Sequence, residues 1–341
     1  MKSRHRLTIR DIAREAGVST ATVSRVMNSS ALVSQDTRAS VETVIKRNGY
    51  LSHGIAVSLA SARSLSIGLV IPTITNSIYA SSTQAIQMVT QAAGYTLLLG
   101  NSEFSPELEE KLIRKLLERR VDGLILTGGK RQPAVYDLID AHNVPFVVTW
   151  KMLQDSVSRP SVFFDNYKGG RLAMEHLIGL GHRRIGLICG RTDVNDRARD
   201  RRMAYEDSMR ANGLPSENNL IHEADFELVQ GRDAMRSLLG LKQRPTAVFC
   251  ANDIQAIGAL FECGENGLSV PGEISLVGFD DLPVTQYIRP QLTTIRVPAQ
   301  LMGELAATSI LYAIRTGKVP PTAELPVELI VRGSTARAPL A

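Results

Sequence analysis

Residues 8–28 constrain this chain more than any other stretch. Ile9, Ile12, Ala13 and Ala16 recur at helical spacing and give a short first helix one apolar face. Gly17 supplies a sharp turn, Val18 plugs it, and Ser19 is a natural N-cap for a second helix. On that second helix Val23, Val26 and Met27 point inward, while Ala21, Ser24, Arg25 and Asn28 occupy the opposite arc. Two short helices joined by a glycine turn, the second with a polar outer face, make a helix-turn-helix whose second helix fits the major groove of DNA. A helical hairpin buried in a core is the competing reading. The outer arc has no apolar stripe to bury, and the surrounding sequence is basic, so the first reading is preferred.

Charge locates the same function. The chain carries a formal +5, and residues 1–63, with ten basic and four acidic side chains, carry more than all of it. A basic segment attached to a nearly neutral remainder is the electrostatic footprint of a nucleic-acid module joined to another domain. The 341 residues, 44% hydrophobic, suffice for two or three domains. No run of eighteen apolar residues is present, and the basic N-terminus leads into the helix-turn-helix without an apolar signal segment, so a cytoplasmic protein with no membrane partner is expected. Cys189, Cys250 and Cys263 are odd in number and not spaced as metal ligands, which suits buried thiols and calls for neither metal nor cofactor.

Beyond the second helix, Ser34 caps a third, with Asp36 in its first turn and Lys46 and Arg47 in its last, matching the helix dipole. Thr37, Val41, Val44 and Ile45 form its inner face and Gly49 ends it. Residues 1–53 are therefore expected to be an all-α, three-helix headpiece, and 54–64 a hinge helix or linker. From Ser66 onward, apolar β-type runs at 67–71, 95–99, 121–126, 145–148, 184–188, 246–250 and 274–279 alternate with amphipathic helical stretches at 106–120, 169–180, 197–212, 228–239, 254–266 and 299–316. That alternation predicts an α/β core with parallel sheets covered on both faces. Residues 66–71 and 184–189 begin alike, which hints at two doubly wound lobes with a ligand cleft at the carboxyl ends of their strands.

Six short motifs, in this order and spacing, make the chain resemble the LacI/GalR family of bacterial transcriptional regulators over essentially its full length. They are Asp-Ile-Ala-Arg-Glu-Ala-Gly-Val-Ser at 11–19, Thr-Val-Ser-Arg-Val-Met-Asn at 22–28, Gly-His-Arg-Arg-Ile-Gly at 181–186, Ala-Asn-Asp at 251–253, Ser-Leu-Val-Gly-Phe-Asp-Asp at 275–281 and Leu-Thr-Thr-Ile at 292–295. The resemblance implies a headpiece, a hinge and a periplasmic-binding-protein-like core. It places the first lobe at about 65–163 and 296–323, and the second at about 164–295 and 324–341. It also implies a homodimer on a pseudo-palindromic double-stranded operator, controlled by a small-molecule effector and expected to repress.

Residue by residue, the resemblance assigns Thr20, Ala21 and Arg25 to base reading, with Arg25 able to fork to a guanine edge. Thr8, Ser19, Ser24, Asn28, Ser34 and Thr37 fall on phosphate-contacting positions. Ala56 and Leu59 fall on minor-groove positions, Leu59 as a wedge at the central base step. In the cleft, Ile78, Tyr79, Phe164 and Phe226 match positions that pack against the ligand. Thr127, Arg201, Asn252 and Asp280 match polar ligand contacts, where a carboxylate accepts hydroxyl hydrogens and an arginine forks to an oxygen.

Two departures bear on the effector. Trp150 stands where many members carry a hydroxyl-binding aspartate, with Lys151 beside it, and Val297 replaces a polar contact. An acid lost beside a cation gained points to a sugar acid or a related anion. Weak similarity to gluconate-type repressors at 71–76 and 261–268 points the same way. A purine or a neutral sugar is the alternative effector, and a solvated loop position is the alternative for Lys151. The competing classes have less support: no catalytic set or phosphate-loop spacing appears, and a solute-binding protein would lack the headpiece.

Overall fold

The computed structural model describes residues 7–27, 33–50, 63–153, 155 and 159–339. The chain divides into two compact units, one ahead of Leu65 and one from Leu65 onward.

The first unit holds α1 (Ile9–Glu15), α2 (Thr20–Met27) and α3 (Gln35–Asn48). Thr8 opens α1 by donating both its backbone N–H and its hydroxyl to the Asp11 carboxylate, at 2.9 and 2.7 Å. Ser19 accepts the Thr22 N–H at 3.1 Å and starts α2, and Ser34 accepts the Thr37 N–H at 3.4 Å to start α3. Gly17, at φ +66°, makes the turn between α1 and α2 in a conformation that disfavours any side chain. Ile12, Val23 and Val41 are fully buried where the three helices meet, joined by Ala13, Val26 and Tyr50. Glu15 of α1 accepts from Arg47 and from Asn48, fastening the end of α3 to α1.

The second unit runs β1 (Ser66–Ile71), α4 (Ser77–Ala92), β2 (Thr96–Asn101), α5 (Pro106–Glu118), β3 (Gly123–Thr127), α6 (Pro133–Ala141), β4 (Phe146–Thr149), β5 (Ser161–Phe164), α7 (Asn166–Gly179) and β6 (Ile185–Cys189). It continues with α8 (Asp196–Ala211), β7 (Ile221–Glu223), α9 (Leu228–Leu239), β8 (Ala247–Cys250), α10 (Asp253–Glu265), β9 (Ser275–Asp280), β10 (Thr293–Arg296), α11 (Ala299–Thr316), β11 (Ala323–Leu325) and β12 (Glu328–Ile330). Two six-stranded sheets result, in the orders β11-β5-β4-β3-β1-β2 and β12-β10-β9-β8-β6-β7. Among the described residues every pairing is parallel except β12 on β10. The inner strands β1, β3, β4, β6, β8 and β9 are buried along their whole length, as strands covered by helices on both faces must be. This is the doubly wound, two-lobed core that the alternating pattern predicts.

The chain passes between the lobes three times, after β5, after β10 and after β11. The exchange points fall a residue or two from the expected ones: Phe164 and Leu325 still pair in the first sheet, and Arg296 pairs in the second. Ladder hydrogen bonds set those ends, and the side-chain pattern does not report them. Strands β5, β7, β10, β11 and β12 are three or four residues long, too short for a periodic signal, and none was anticipated as a strand.

Candidate functional site

Of the residues assigned to DNA contact, Thr8, Ser19, Thr20, Ala21, Arg25 and Ser34 are exposed, and Ser24 and Thr37 are half-buried. Thr20, Ala21 and Arg25 share the outer arc of α2, opposite buried Val23 and Val26. Ser19 and Ser34 also serve as helix caps, which fixes their hydroxyls at the helix starts. Asn28, Ala56 and Leu59 lie outside the described residues.

In the second unit, strand ends of both lobes bring an aromatic cluster together. Tyr79 near the start of α4 lies 4.9 Å from Trp150, centroid to centroid; Trp150 lies 5.8 Å from Phe164, and Phe164 6.3 Å from Phe279. Trp150 follows β4 with φ +71°, an unfavourable conformation for a bulky residue. It is held there by its N–H on the Val162 carbonyl at 3.1 Å and by the Asn166 amide on its own carbonyl at 3.0 Å. Asn166 also accepts from Arg201 Nε at 3.0 Å, so one buried amide ties the first lobe's Trp150 to the second lobe's Arg201.

The Arg201 guanidinium is buried, donates to the Ala251 carbonyl and lies 4.0 Å from the centroid of the Phe279 ring. Burial pulls its pKa below the usual guanidinium value, against the opposing field of Asp280. Asp280 accepts from Asn252 at 2.6 Å. Burial pushes the Asp280 carboxyl up to about 8, although Arg201 draws it down. Asp280 and Asp281 hold φ values of +122° and +57°. The turn is over-determined from below: Asp253 accepts the Leu282 N–H at 2.8 Å and the Thr294 hydroxyl at 2.6 Å, and Asp281 pairs with Arg296 and Arg332. An open groove of about 510 Å³ runs from Asp280 past Ile78, Ser81 and Val297 to Gln300.

A polar wall closes the cleft beside that cluster. The Gly129 N–H donates to the Asp196 carboxylate at 2.7 Å, Asp196 pairs with Arg197 at 2.9 Å, and Lys130 donates to the Asp193 carbonyl. Lys151 donates to the Asp200 carboxylate of α8, a partner the sequence reading did not anticipate. Thr127 lines a small cavity with Arg197 rather than the aromatic cluster's face. Phe226 packs over Gly190 and pairs with Phe104 at 5.7 Å. The structure thus brings Tyr79, Trp150, Phe164 and Arg201 together, sets Asn252 and Asp280 beside them, and places Thr127, Lys151 and Phe226 in the surrounding wall. Asn166, Phe279, Asp196 and Arg197 belong to the same region and were missed. Phe279 had a usable signal, being the residue before Asp280 in the quoted motif.

Comparison with known proteins agrees with the helical first unit and the two-lobed core. A family model described as bacterial regulatory proteins, lacI family, matches residues 8–52, and one described as a periplasmic binding protein-like domain matches residues 174–335. The chain is 34% identical over 331 residues to the HTH-type transcriptional repressor PurR of Actinobacillus pleuropneumoniae serotype 3 (strain JL03), covering 96% of this chain and 98% of that one. The crystal structure of a transcriptional regulator of the same family from Silicibacter pomeroyi superposes with a TM-score of 0.89 at 27% identity, covering 97% of this chain and all of that one. The lac repressor dimer bound to operator and the anti-inducer ONPF superposes with a TM-score of 0.84 at 30% identity, with the same coverage.

Proposed function

Because the chain belongs to the lacI family of bacterial regulatory proteins, we propose that it is a sequence-specific DNA-binding transcriptional repressor whose operator affinity is set by a small molecule held between its two core lobes. The observation that carries this reading is the convergence, within one buried site, of Tyr79 and Trp150 from one lobe with Arg201 and Asp280 from the other. A ligand touching both lobes has different contacts in different lobe arrangements, and differential affinity is what lets a ligand shift an equilibrium. Residues 1–53 serve as the headpiece and 54–64 as the link to the core. The working form is a homodimer on a pseudo-palindromic site in the cytoplasm, as the lac repressor is a dimer on its operator. Its activity is binding and not catalysis.

Apolar area on the second lobe supports the dimer. A groove of about 550 Å³ lined by Ile257, Leu260, Phe261 and Ile288 lies open there, with Phe261 half exposed and Tyr287 79% exposed beside it. Rings left in water next to an apolar groove mark an interaction surface.

The effector is a compact hydroxylated ring of the carbohydrate class, its face on the aromatic cluster and its hydroxyls on Asp280, Asn252 and Arg201. A purine is the second reading, favoured by the flat faces of Tyr79 and Trp150 and by the 34% identity to PurR. Thermal unfolding with sugars, sugar acids, sugar phosphates and purines separates them, since a ligand at a hundredfold its Kd stabilises by about 2.7 kcal/mol. The stabilising compound must also change operator affinity. Failure of every class to do both would remove the effector from the function.

A further inference from the structure

Between the lobes a small cavity of about 30 Å³ is lined by Thr127, Gly128, Lys130 and Arg197 together with the carboxylates of Glu109 and Asp196. Arg197 is 4% exposed. One of its guanidinium nitrogens donates to Asp196, and it is within hydrogen-bonding reach of Tyr79, yet its Nε–H has no acceptor among the described residues. The Nε–H of Arg131, buried against the same turn, has none either. A buried donor without an acceptor is costly, and a charged one more so.

The neighbouring acids are already spoken for. Glu109 pairs with Arg131, Asp196 with the Gly129 N–H as well as Arg197, and Asp200 with Lys151. Lys130 donates to the uncharged carbonyl of Asp193, whose carboxylate pairs with Arg191. The cavity also meets the start of α5, thirteen residues long and capped by Ser105, whose N-terminal dipole favours negative charge. Burial works against the charge on Arg197, but Tyr79 and Asp196 outweigh it and keep the guanidinium protonated.

We propose that the effector carries a carboxylate, as a sugar acid does, and that Arg197, with the Gly128–Lys130 turn and the start of α5, receives it. This rests on the reading that an effector sits between the lobes. It keeps the anionic class suggested by the sequence but moves its recognition away from Lys151, whose ammonium Asp200 already neutralises. The sugar then lies on Tyr79, which is within hydrogen-bonding reach of Arg197, and on Trp150 packed against Tyr79, with the acid against the unpaired Arg197 N–H. A planar fork suits a carboxylate better than a lysine point charge does.

The test uses the full chain, with thermal unfolding and operator titration as readouts. Its probes are gluconate, glucuronate and galacturonate beside their neutral parents glucose and galactose, with inorganic phosphate and hypoxanthine as further arms. At least one acid should stabilise the protein more than its neutral parent. For that acid, Arg197→Met should weaken binding tenfold or more, while Lys151→Met stays within about threefold. If Arg197→Met does not fold, Arg197→Lys keeps the charge, shortens the reach and should still lose about tenfold. Tighter binding of a neutral sugar or of hypoxanthine overturns the inference and leaves the effector reading standing. So does an acid whose affinity Lys151→Met reduces more than Arg197→Met, or stabilisation by phosphate alone. If no probe moves either readout, the inference falls together with the effector reading.

Discussion

The Gly129 N–H of one lobe donates to the Asp196 carboxylate of the other at 2.7 Å, and the residue before it leaves no room for a side chain. Gly128 holds φ +75°, and a Cβ placed there would stand 1.9 Å from an Arg197 guanidinium nitrogen. The lobes therefore meet through backbone on one side and a buried ion pair on the other.

Gly128→Ala should lower the stability of the core by about 1–3 kcal/mol, from the positive φ together with displacement of Arg197. A fall of several degrees in the melting temperature checks it. Gly94→Ala, which also has a positive φ but open space around its Cβ, serves as the control and should cost less. Equal losses at the two positions would mean that Arg197 is not what excludes a side chain at 128.

Acid–base linkage gives a prediction with a definite sign. Burial raises the folded-state pKa of Asp280 to about 8 and that of Asp253 to about 6, both above the ordinary carboxyl value. A carboxyl raised in the folded state binds its proton more tightly there than in the unfolded chain. Its contribution is complete below the unfolded pKa and is lost as pH rises through the folded value. The contribution of these two carboxyls should therefore decline from about pH 4 toward pH 8 and level off above it, while His176, His182 and His222, whose pKa burial lowers, add stability as pH rises through the ordinary imidazole value. Asp280→Asn should flatten the part of the decline above pH 6. Denaturant unfolding of both proteins at several pH values tests this, and an Asp280→Asn profile with the same slope as the wild type across pH 6–8 would contradict it.

The alternating runs and buried strands made the α/β core legible, because a covered parallel strand must be apolar throughout and seven such runs stood between amphipathic helices. Asn252 and Asp280 were named through the family resemblance, on motif positions that fall just beyond β8 and at the end of β9. Phe279 sits in an apolar strand run like an ordinary core residue, and its place before Asp280 in the motif was the mark that set it apart. Asn166 opens α7 and resembles a cap, although Asp165 does the capping, through the Lys168 N–H at 3.0 Å. Lys151 and Asp200 are forty-nine residues apart and Gly129 and Asp196 sixty-seven, so nothing local announces either pairing. What the sequence pattern could not supply was the set of contacts made only when two lobes close on each other.

On DNA, Arg25 projects from the exposed arc of α2, while Val23 and Val26 anchor the opposite face in the headpiece core. Arg25→Ala should cost about 1–3 kcal/mol on the preferred operator and little on random sequence, because a bidentate base contact discriminates and a phosphate contact does not. Operator titrations at several salt concentrations give both numbers and the slope. Equal losses on specific and random DNA would reduce Arg25 to a backbone contact.

Tyr287 offers the clearest handle on assembly. Its ring is 79% exposed, so its contacts within the chain are few, and a polar replacement should leave the fold intact. It stands beside Ile288, Arg289 and Pro290 on the rim of the apolar groove, where a second copy would bury it. Aromatic side chains seated in such grooves dominate binding energy, so Tyr287→Asp should shift the dimer toward monomer by tenfold or more in dissociation constant. Because a dimer engages two half-sites at once, operator affinity should fall further than the headpiece alone would account for. Sedimentation measures the first effect and operator titration the second, with an unchanged melting temperature of the monomer excluding a folding defect. A variant that remains fully dimeric at nanomolar concentration would place the subunit interface on another face of the core.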